Sequence, residues 1–170
     1  MKWKLLLSFV LFSVLTGCAN GPLFTKVTPE ANESIFYVYR SFDINTVGEW
    51  PSVHLNGKPL AVLPEESYSF ARLKPGKHNI QIYKHGIVTG DKERPYYDVT
   101  FEVSARSEIY MRWSNLMGNP TVMLPEGHES SMVSVKSVEY GFVHKDLGRS
   151  EISVTKMVTP EQLGAIEALN

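Results

Sequence analysis

Between Ser34 and Trp113 several runs place apolar residues at every second position, and short turn signals separate the runs. A period of two is the spacing of a pleated strand with one face buried, and it does not suit a helix. Tyr97, Val99, Phe101 and Val103 alternate with Asp98, Thr100 and Glu102. Ile109, Met111 and Trp113 repeat the pattern, as do His78, Ile80 and Ile82. Tyr68 and Phe70 share a face in the run ending at Leu73. Ser34-Ile35-Phe36-Tyr37-Val38-Tyr39-Arg40 is apolar on both faces, which suits a central strand. Weaker strand candidates are residues 121–124, 132–138 and 152–158.

The turns carry their own chemistry. Asn56-Gly57 between two apolar runs predicts a type I′ hairpin, because both central residues must take positive φ. With two residues in the loop, Val53 is expected opposite Leu60, which places Val53, Leu55, Leu60 and Val62 on one face. Lys74-Pro75-Gly76-Lys77 predicts a type II turn, with proline fixing φ and glycine taking positive φ. Near the end, Thr159-Pro160-Glu161-Gln162 before Leu163 and Ile166 has the form of a capping box opening a short helix. The expected fold is mainly β, an antiparallel β-sandwich with a short C-terminal helix.

The N-terminus has a different design. Lys2 and Lys4 precede an eleven-residue apolar stretch, residues 5–15, diluted only by serine. A helix needs about 20 apolar residues to span a bilayer, so this run suits a secretory leader better than an anchor. It ends in Leu15-Thr16-Gly17-Cys18, and Cys18 is the only cysteine of the chain. A lone cysteine excludes a disulfide scaffold and any zinc site built on two thiolates. The four residues resemble the lipobox of bacterial lipoproteins. That resemblance implies a diacylglycerol on the Cys18 thiol, cleavage after Gly17 and acylation of the new amino group. Ala19, where a retained lipoprotein often has aspartate, resembles the pattern sorted to the outer membrane, facing the periplasm. The expected organisation is a signal peptide over residues 1–17, a lipidated tether over 18–33 and a β-domain over 34–170. The tether reading rests on Asn20, Gly21, Pro22, Pro29 and Asn32 and on weak periodicity.

The formal net charge is −1, and removing a leader that holds Lys2 and Lys4 makes it −3. That balance argues against a nucleic-acid partner. The IFYVYR strand ending at Arg40, the VHLNGKPLAVL hairpin, SYSFARLKPGKHNIQIY and FEVSARSEIYMRW together resemble the bacterial family called domain of unknown function 2846. Members of that family are often lipoproteins. The likeness covers residues 34–113. The Leu73-Lys74-Pro75-Gly76-Lys77-His78 piece is also similar to a turn of prealbumin-like surface modules, so the resemblance implies that shape. The chain departs from the family at Ala105-Arg106, where a glycine turn is usual, and in the charged insertion over residues 84–95. The family carries no catalytic residues that transfer.

Catalytic templates are absent: there is no nucleophile elbow, paired-histidine zinc motif, phosphate loop or dinucleotide fingerprint. His54, His78, His85, His128 and His144 show no metal-pair spacing, and His54 and His78 are expected to order the turns beside them. Glu65-Glu66 and Asp91-Lys92-Glu93-Arg94 read as solvated loops, and Gly127-His128-Glu129-Ser130-Ser131 does not make a triad. No metal or cofactor is expected. Trp50, in the loop segment Gly48-Glu49-Trp50-Pro51, is the candidate ligand contact, with Trp113, Tyr96 and Tyr97 as further aromatics. The expected function is a noncatalytic binding or structural module, held to the membrane by Cys18, that meets an envelope protein or glycan. The alternatives are a carbohydrate- or peptidoglycan-binding module and an envelope-polymer hydrolase.

Overall fold

The computed structural model of the chain describes residues 21–42, 48–84, 94–113 and 140–158. Its organising element is β1 (Ser34–Arg40), in which every residue is buried. Aromatic and branched side chains on both faces put it at the centre of a five-stranded sheet. Its neighbours are β4 (Ser67–Leu73) and β7 (Glu108–Trp113), with β8 (Tyr140–Val143) and β9 (Lys156–Met157) outside them in the order β8-β7-β1-β4-β9. The expectation of an all-antiparallel arrangement is corrected here. β1 runs antiparallel to β4 but parallel to β7, and β4 runs parallel to β9. Parallel partners need a crossover rather than a hairpin, and each of these pairs is separated by other strands of the fold.

The second sheet is antiparallel throughout. It contains β2 (Ser52–Leu55), β3 (Lys58–Val62), β5 (Gly76–Tyr83) and β6 (Tyr97–Val103) in the order β3-β2-β5-β6. The two sheets share one apolar core. Phe36, Val38, Ile109, Met111 and Trp113 enter it from the first sheet, and Val53, Ala61, Ile80, Ile82, Phe101 and Val103 from the second. The alternations in β5, β6 and β7 are thus read correctly from sequence. Asn56 and Gly57 have φ of 52° and 73°, as a type I′ turn demands. The register beyond that turn differs from expectation. A bulge between Val53 and His54 sets Val53 opposite Ala61 rather than Leu60. An extra residue on one strand shifts all later pairs by one.

The ends of the two sheets are unlike. At one, here the turn end, β2–β3, β4–β5 and β6–β7 are joined by residues 56–57, 74–75 and 104–107. Gly76, at φ 129°, begins β5 as the chain changes sheets. At residues 104–107, Arg106 takes φ 59°, the left-handed region that favours glycine, and its N–H donates to Glu33 O at 2.8 Å. Ser34 Oγ donates to Ser104 O at 2.5 Å and accepts from Ser107 N at 2.9 Å, tying the same turn down. At the opposite end, here the loop end, β1, β3, β5 and β7 finish and β2, β4, β6 and β8 begin.

The outer face of the five-stranded sheet is covered rather than solvated. Ile35, Tyr37, Tyr39, Tyr68, Tyr110 and Val143 form a second apolar cluster with Ile152 of α1 (Lys145–Ile152). Phe24, Val27 and Met157 pack against it. Residues 21–33 are therefore part of the packed structure, contrary to the expectation of a loose tether. Phe24 sits edge-on to Tyr37 and Tyr68, both at 5.4 Å between ring centres. Phe24 N donates to Thr155 O at 3.0 Å, and Met157 N donates to Pro22 O at 2.9 Å. The proline and asparagine content hides two well-placed apolar residues. The helix α1 replaces the start of the strand expected over residues 152–158, of which Lys156–Met157 is extended. The capping box at Thr159 and the strand candidates at 121–124 and 132–138 lie outside the described residues.

Candidate functional site

The loop end is organised around one buried charge. Arg40 closes β1, and period-two alternation turns it to the same side as Phe36 and Val38, into the space between the sheets. An arginine there must have its donors met and its charge balanced. Nη1 donates to Glu49 O at 2.6 Å and to Leu63 O at 3.0 Å, while Nη2 pairs with the Glu65 carboxylate. The guanidinium lies 4.2 Å from the centre of the Trp113 ring, its register partner on the parallel neighbour β7. Arg40 thus ties together the connection before β2, the one after β3 and the end of β7. Glu65 is an ion-pair partner rather than the solvated acid expected from sequence. Its neighbour Glu66 is exposed, at φ 54°.

The rim of this end carries exposed apolar side chains beside the exposed charges of Glu66, Arg94 and Lys156. Among the described residues, the exposed large apolar side chains are Leu23, Phe42, Trp50, Tyr96, Leu147 and Val154. All but Leu147, which is on α1, lie at the loop end. Trp50, the candidate ligand contact, is 37% exposed and adjoins Glu49, whose carbonyl accepts from Arg40. Pro51, next to it, is buried, and its carbonyl accepts from Leu63 N at 2.9 Å. Trp50 is therefore mounted on the segment that Arg40 fixes. Tyr96 carries the Lys84 ammonium 4.1 Å over its ring, and Tyr96 N donates to Ile82 O at 2.8 Å. Trp113 is core, and Tyr97 is partly buried against it. The lipobox residues Leu15, Thr16, Gly17 and Cys18 lie outside the described residues, as do His85, His128, Asp91 and the stretch around Ser130.

The remaining titratable clusters fasten the outer face. Glu108 accepts from Tyr110 at 2.9 Å and from Arg149 at 2.8 and 3.0 Å, and pairs with Lys26 at 2.9 Å. Burial pushes its pKa up, but the bonds from Lys26, Arg149 and Tyr110 outweigh this and hold it below the usual carboxylate range. Glu151 accepts from Tyr39 at 2.5 Å and from Arg112 at 2.7 Å. Burial first, and the Glu151 carboxylate second, raise the Tyr39 phenol far above its ordinary range. These groups join α1 and the N-terminal segment to the sheet.

The histidines are likewise local. His78 Nε2 lies 2.8 Å from Lys74 O, and its Nδ1 lies 3.0 Å from Asn56 Nδ2, so it joins two turns as expected. Asn79 N donates to Asn56 Oδ1 at 2.9 Å, which leaves the amide nitrogen facing the ring. His54 packs on the Tyr83 ring, with 4.8 Å between the ring centres. His144 caps α1, accepting from Asp146 N. Among the described residues no group of three His, Cys, Asp or Glu is placed to hold a metal ion, and no helix is long and apolar enough to cross a membrane. Sequence reasoning missed Arg40 as a cluster centre. The signal was present: an arginine in phase with two core residues of a strand buried on both faces. Comparison of the chain with protein-family models, curated proteins and solved structures finds no match.

Proposed function

We propose that this chain is a lipid-anchored lipoprotein of the bacterial envelope, a noncatalytic binding or structural module of the domain of unknown function 2846 type with a prealbumin-like β-sandwich. One observation carries the reading: Leu15-Thr16-Gly17-Cys18 follows a basic start and an eleven-residue apolar run. The thiol accepts a diacylglycerol, the leader is cut after Gly17, and the new amino group is acylated. Each buried methylene contributes about 0.8 kcal/mol of membrane affinity, so two or three chains hold the protein stably where one would not. Ala19 after the cysteine favours the outer membrane, with the domain in the periplasm. The two-sheet core supports a sandwich, and the fixed charge networks support a scaffold rather than a reaction centre. Metabolic labelling with an alkynyl fatty acid and mass analysis of the mature N-terminus test the reading. Labelled protein beginning at a modified Cys18, and no label on Cys18→Ser, are expected. Unlabelled wild-type protein in the soluble fraction overturns it.

A second reading, a glycan-binding module, is favoured by Trp50 and Tyr96, two exposed aromatic rings at the same end of the molecule. Aromatic faces bind sugar rings by stacking. Binding to purified peptidoglycan that is lost in Trp50→Ala at unchanged melting temperature would support it. Equal retention of both proteins would end it.

A further inference from the structure

We propose that the domain rests its turn end on the bilayer, with Lys58, Lys74 and Lys77 set against the phosphates of anionic lipid. The inference rests on lipidation of Cys18, proposed above. The bridge of Leu23 to Lys156 is antiparallel, while β9 runs parallel to β4. Read upstream from Leu23, the chain therefore moves with β4, away from the loop end. Met157 N donates to Pro22 O at 2.9 Å and Val158 N to Tyr68 O at 2.9 Å, which fixes that direction residue by residue. Gly21 then stands level with Ser69, and it is clipped so close to the edge that a Cβ on it would meet Met157 O. Three residues upstream of Gly21 is Cys18, a span of at most about 10 Å. From Ser69 to the turn end of β4 at Leu73 is a similar distance, about 13 Å. An acyl chain on Cys18 thus leaves the domain almost no tether, and the ordered chain that leads to it points along β4 to the turn end.

The charge at that end agrees with the direction. Lys58 opens β3, Lys74 follows β4 and Lys77 is the second residue of β5, and all three are exposed. His78 holds their turns together, with Nε2 2.8 Å from Lys74 O and Nδ1 3.0 Å from Asn56 Nδ2. The lysines thus share one corner, the corner that prolongs β4. Among the described residues none of the three is in an ion pair. The acids of this end are engaged elsewhere: Glu33 and Glu30 with Arg72, and Glu108 with Lys26 and Arg149. Glu102, in register with Lys77, is the exposed acid beside the corner, and Arg106 and Lys145 are further exposed cations at the turn end. A basic corner on a mature chain of net charge −3 is a segregation of charge, not a reflection of composition. Lysine ammonium groups are point charges that meet phosphate without a fixed geometry. Each one near an anionic leaflet strengthens attachment about fivefold. The attraction fades over a Debye length of about 8 Å at physiological salt, so it needs a connection as short as this one.

Full-length lipidated protein in phosphatidylcholine vesicles, with and without phosphatidylglycerol, tests this. Cys18 is consumed as a thioether, so a single introduced thiol takes a fluorophore. Pro75→Cys reports on the lysine corner, where Pro75 is exposed, and Val154→Cys reports on the loop end. Headgroup-spin-labelled lipid is expected to quench Pro75→Cys several-fold more strongly with phosphatidylglycerol than without, and to quench Val154→Cys weakly in both. High salt, or Lys58→Gln, Lys74→Gln and Lys77→Gln together, should return Pro75→Cys to its level in neutral vesicles. Unquenched Pro75→Cys in protein that floats with the vesicles overturns the proposal and leaves lipidation standing. Quenching there that ignores phosphatidylglycerol, salt and the triple substitution also overturns it, because the anchor alone then sets the distance. So does stronger quenching at Val154→Cys than at Pro75→Cys. Protein that carries no acyl group and does not float overturns both readings.

Discussion

Gly148 of α1 approaches Tyr110 of β7 so closely that a Cβ built on it would stand 2.5 Å from the tyrosine Cβ and Cγ. Tyr110 is buried and stacked on Tyr37 at 4.9 Å, so the ring has little room to yield. Gly148→Ala should therefore destabilise the protein although alanine is the better helix former. Overpacking costs about 1–3 kcal/mol, against roughly 1 kcal/mol gained in propensity. A thermal melt should show a midpoint lower by several degrees. An unchanged or higher midpoint would mean that α1 can lift away from β7.

Phe24 makes a second test. Its ring joins Tyr37 and Tyr68 on the outer face, and its backbone is bonded to Thr155. Complete removal of a core phenylalanine costs about 3–5 kcal/mol, and Phe24 is only partly buried. Phe24→Ala should therefore lose about 2 kcal/mol in urea unfolding. No loss would restore residues 21–33 to the status of a tether.

At the loop end, Arg40 and Glu65 should respond unequally. Removing one partner of a fully buried pair costs about 3–5 kcal/mol. The Glu65 side chain keeps 20% exposure and Arg40 keeps two carbonyl acceptors, so Glu65→Gln should cost less, about 1–2 kcal/mol. Arg40→Ala should cost more, because it also empties the space against Trp113. Arg40→Met should fall between them. Paired denaturation curves check the order, and a silent Arg40→Ala would remove the clamp.

The pH dependence has two limbs. Glu108 has a folded-state pKa held below its ordinary value, despite burial, by Lys26, Arg149 and Tyr110. Its contribution is present above the ordinary carboxylate range and is lost as pH falls through the depressed value. Glu108→Gln should be less stable at neutral pH and should lose less on acidification. Tyrosines set the alkaline limb. Burial pushes Tyr97 up to about 12, and burial together with Glu108 raises Tyr110 well above its ordinary range. These contributions are whole below the ordinary phenol pKa of 10.0 and are lost as pH rises through the raised values. Ultraviolet titration of phenolate alongside unfolding should show late ionisation coincident with loss of structure.

How much of this was legible in the chain varies with range. Period two revealed β5, β6 and β7, and the double-sided burial of β1 was visible in seven residues. The type I′ turn was visible in two. The bulge at Val53 was not, because nothing in the residue types marks an extra residue in β3. Nor were the parallel pairings, since register between distant strands is decided by packing rather than by local pattern. The helix α1 was hidden because Gly148, Asp146 and Ser150 are weak helix formers. Its support is tertiary, from Tyr110, Arg112 and Glu108. Phe24 was hidden by its polar neighbours, and Arg40 by its charge. Of the candidate site, Trp50 was named from sequence, but the buried clamp beneath it needed coordinates.

The bridge between Leu23 and Lys156 also bears on when the protein can fold. The two residues stand near opposite ends of the described chain, and the cover over Tyr37 and Tyr39 includes Ile152 and Met157. A chain delivered amino-terminus first exposes β1 early, with its tyrosine face open to water until those late residues arrive. Parallel partners and distant edges carry a high loop-closure cost, so partial structures gain little before the last pieces are present. Such a topology delays commitment to the native state until synthesis is nearly complete.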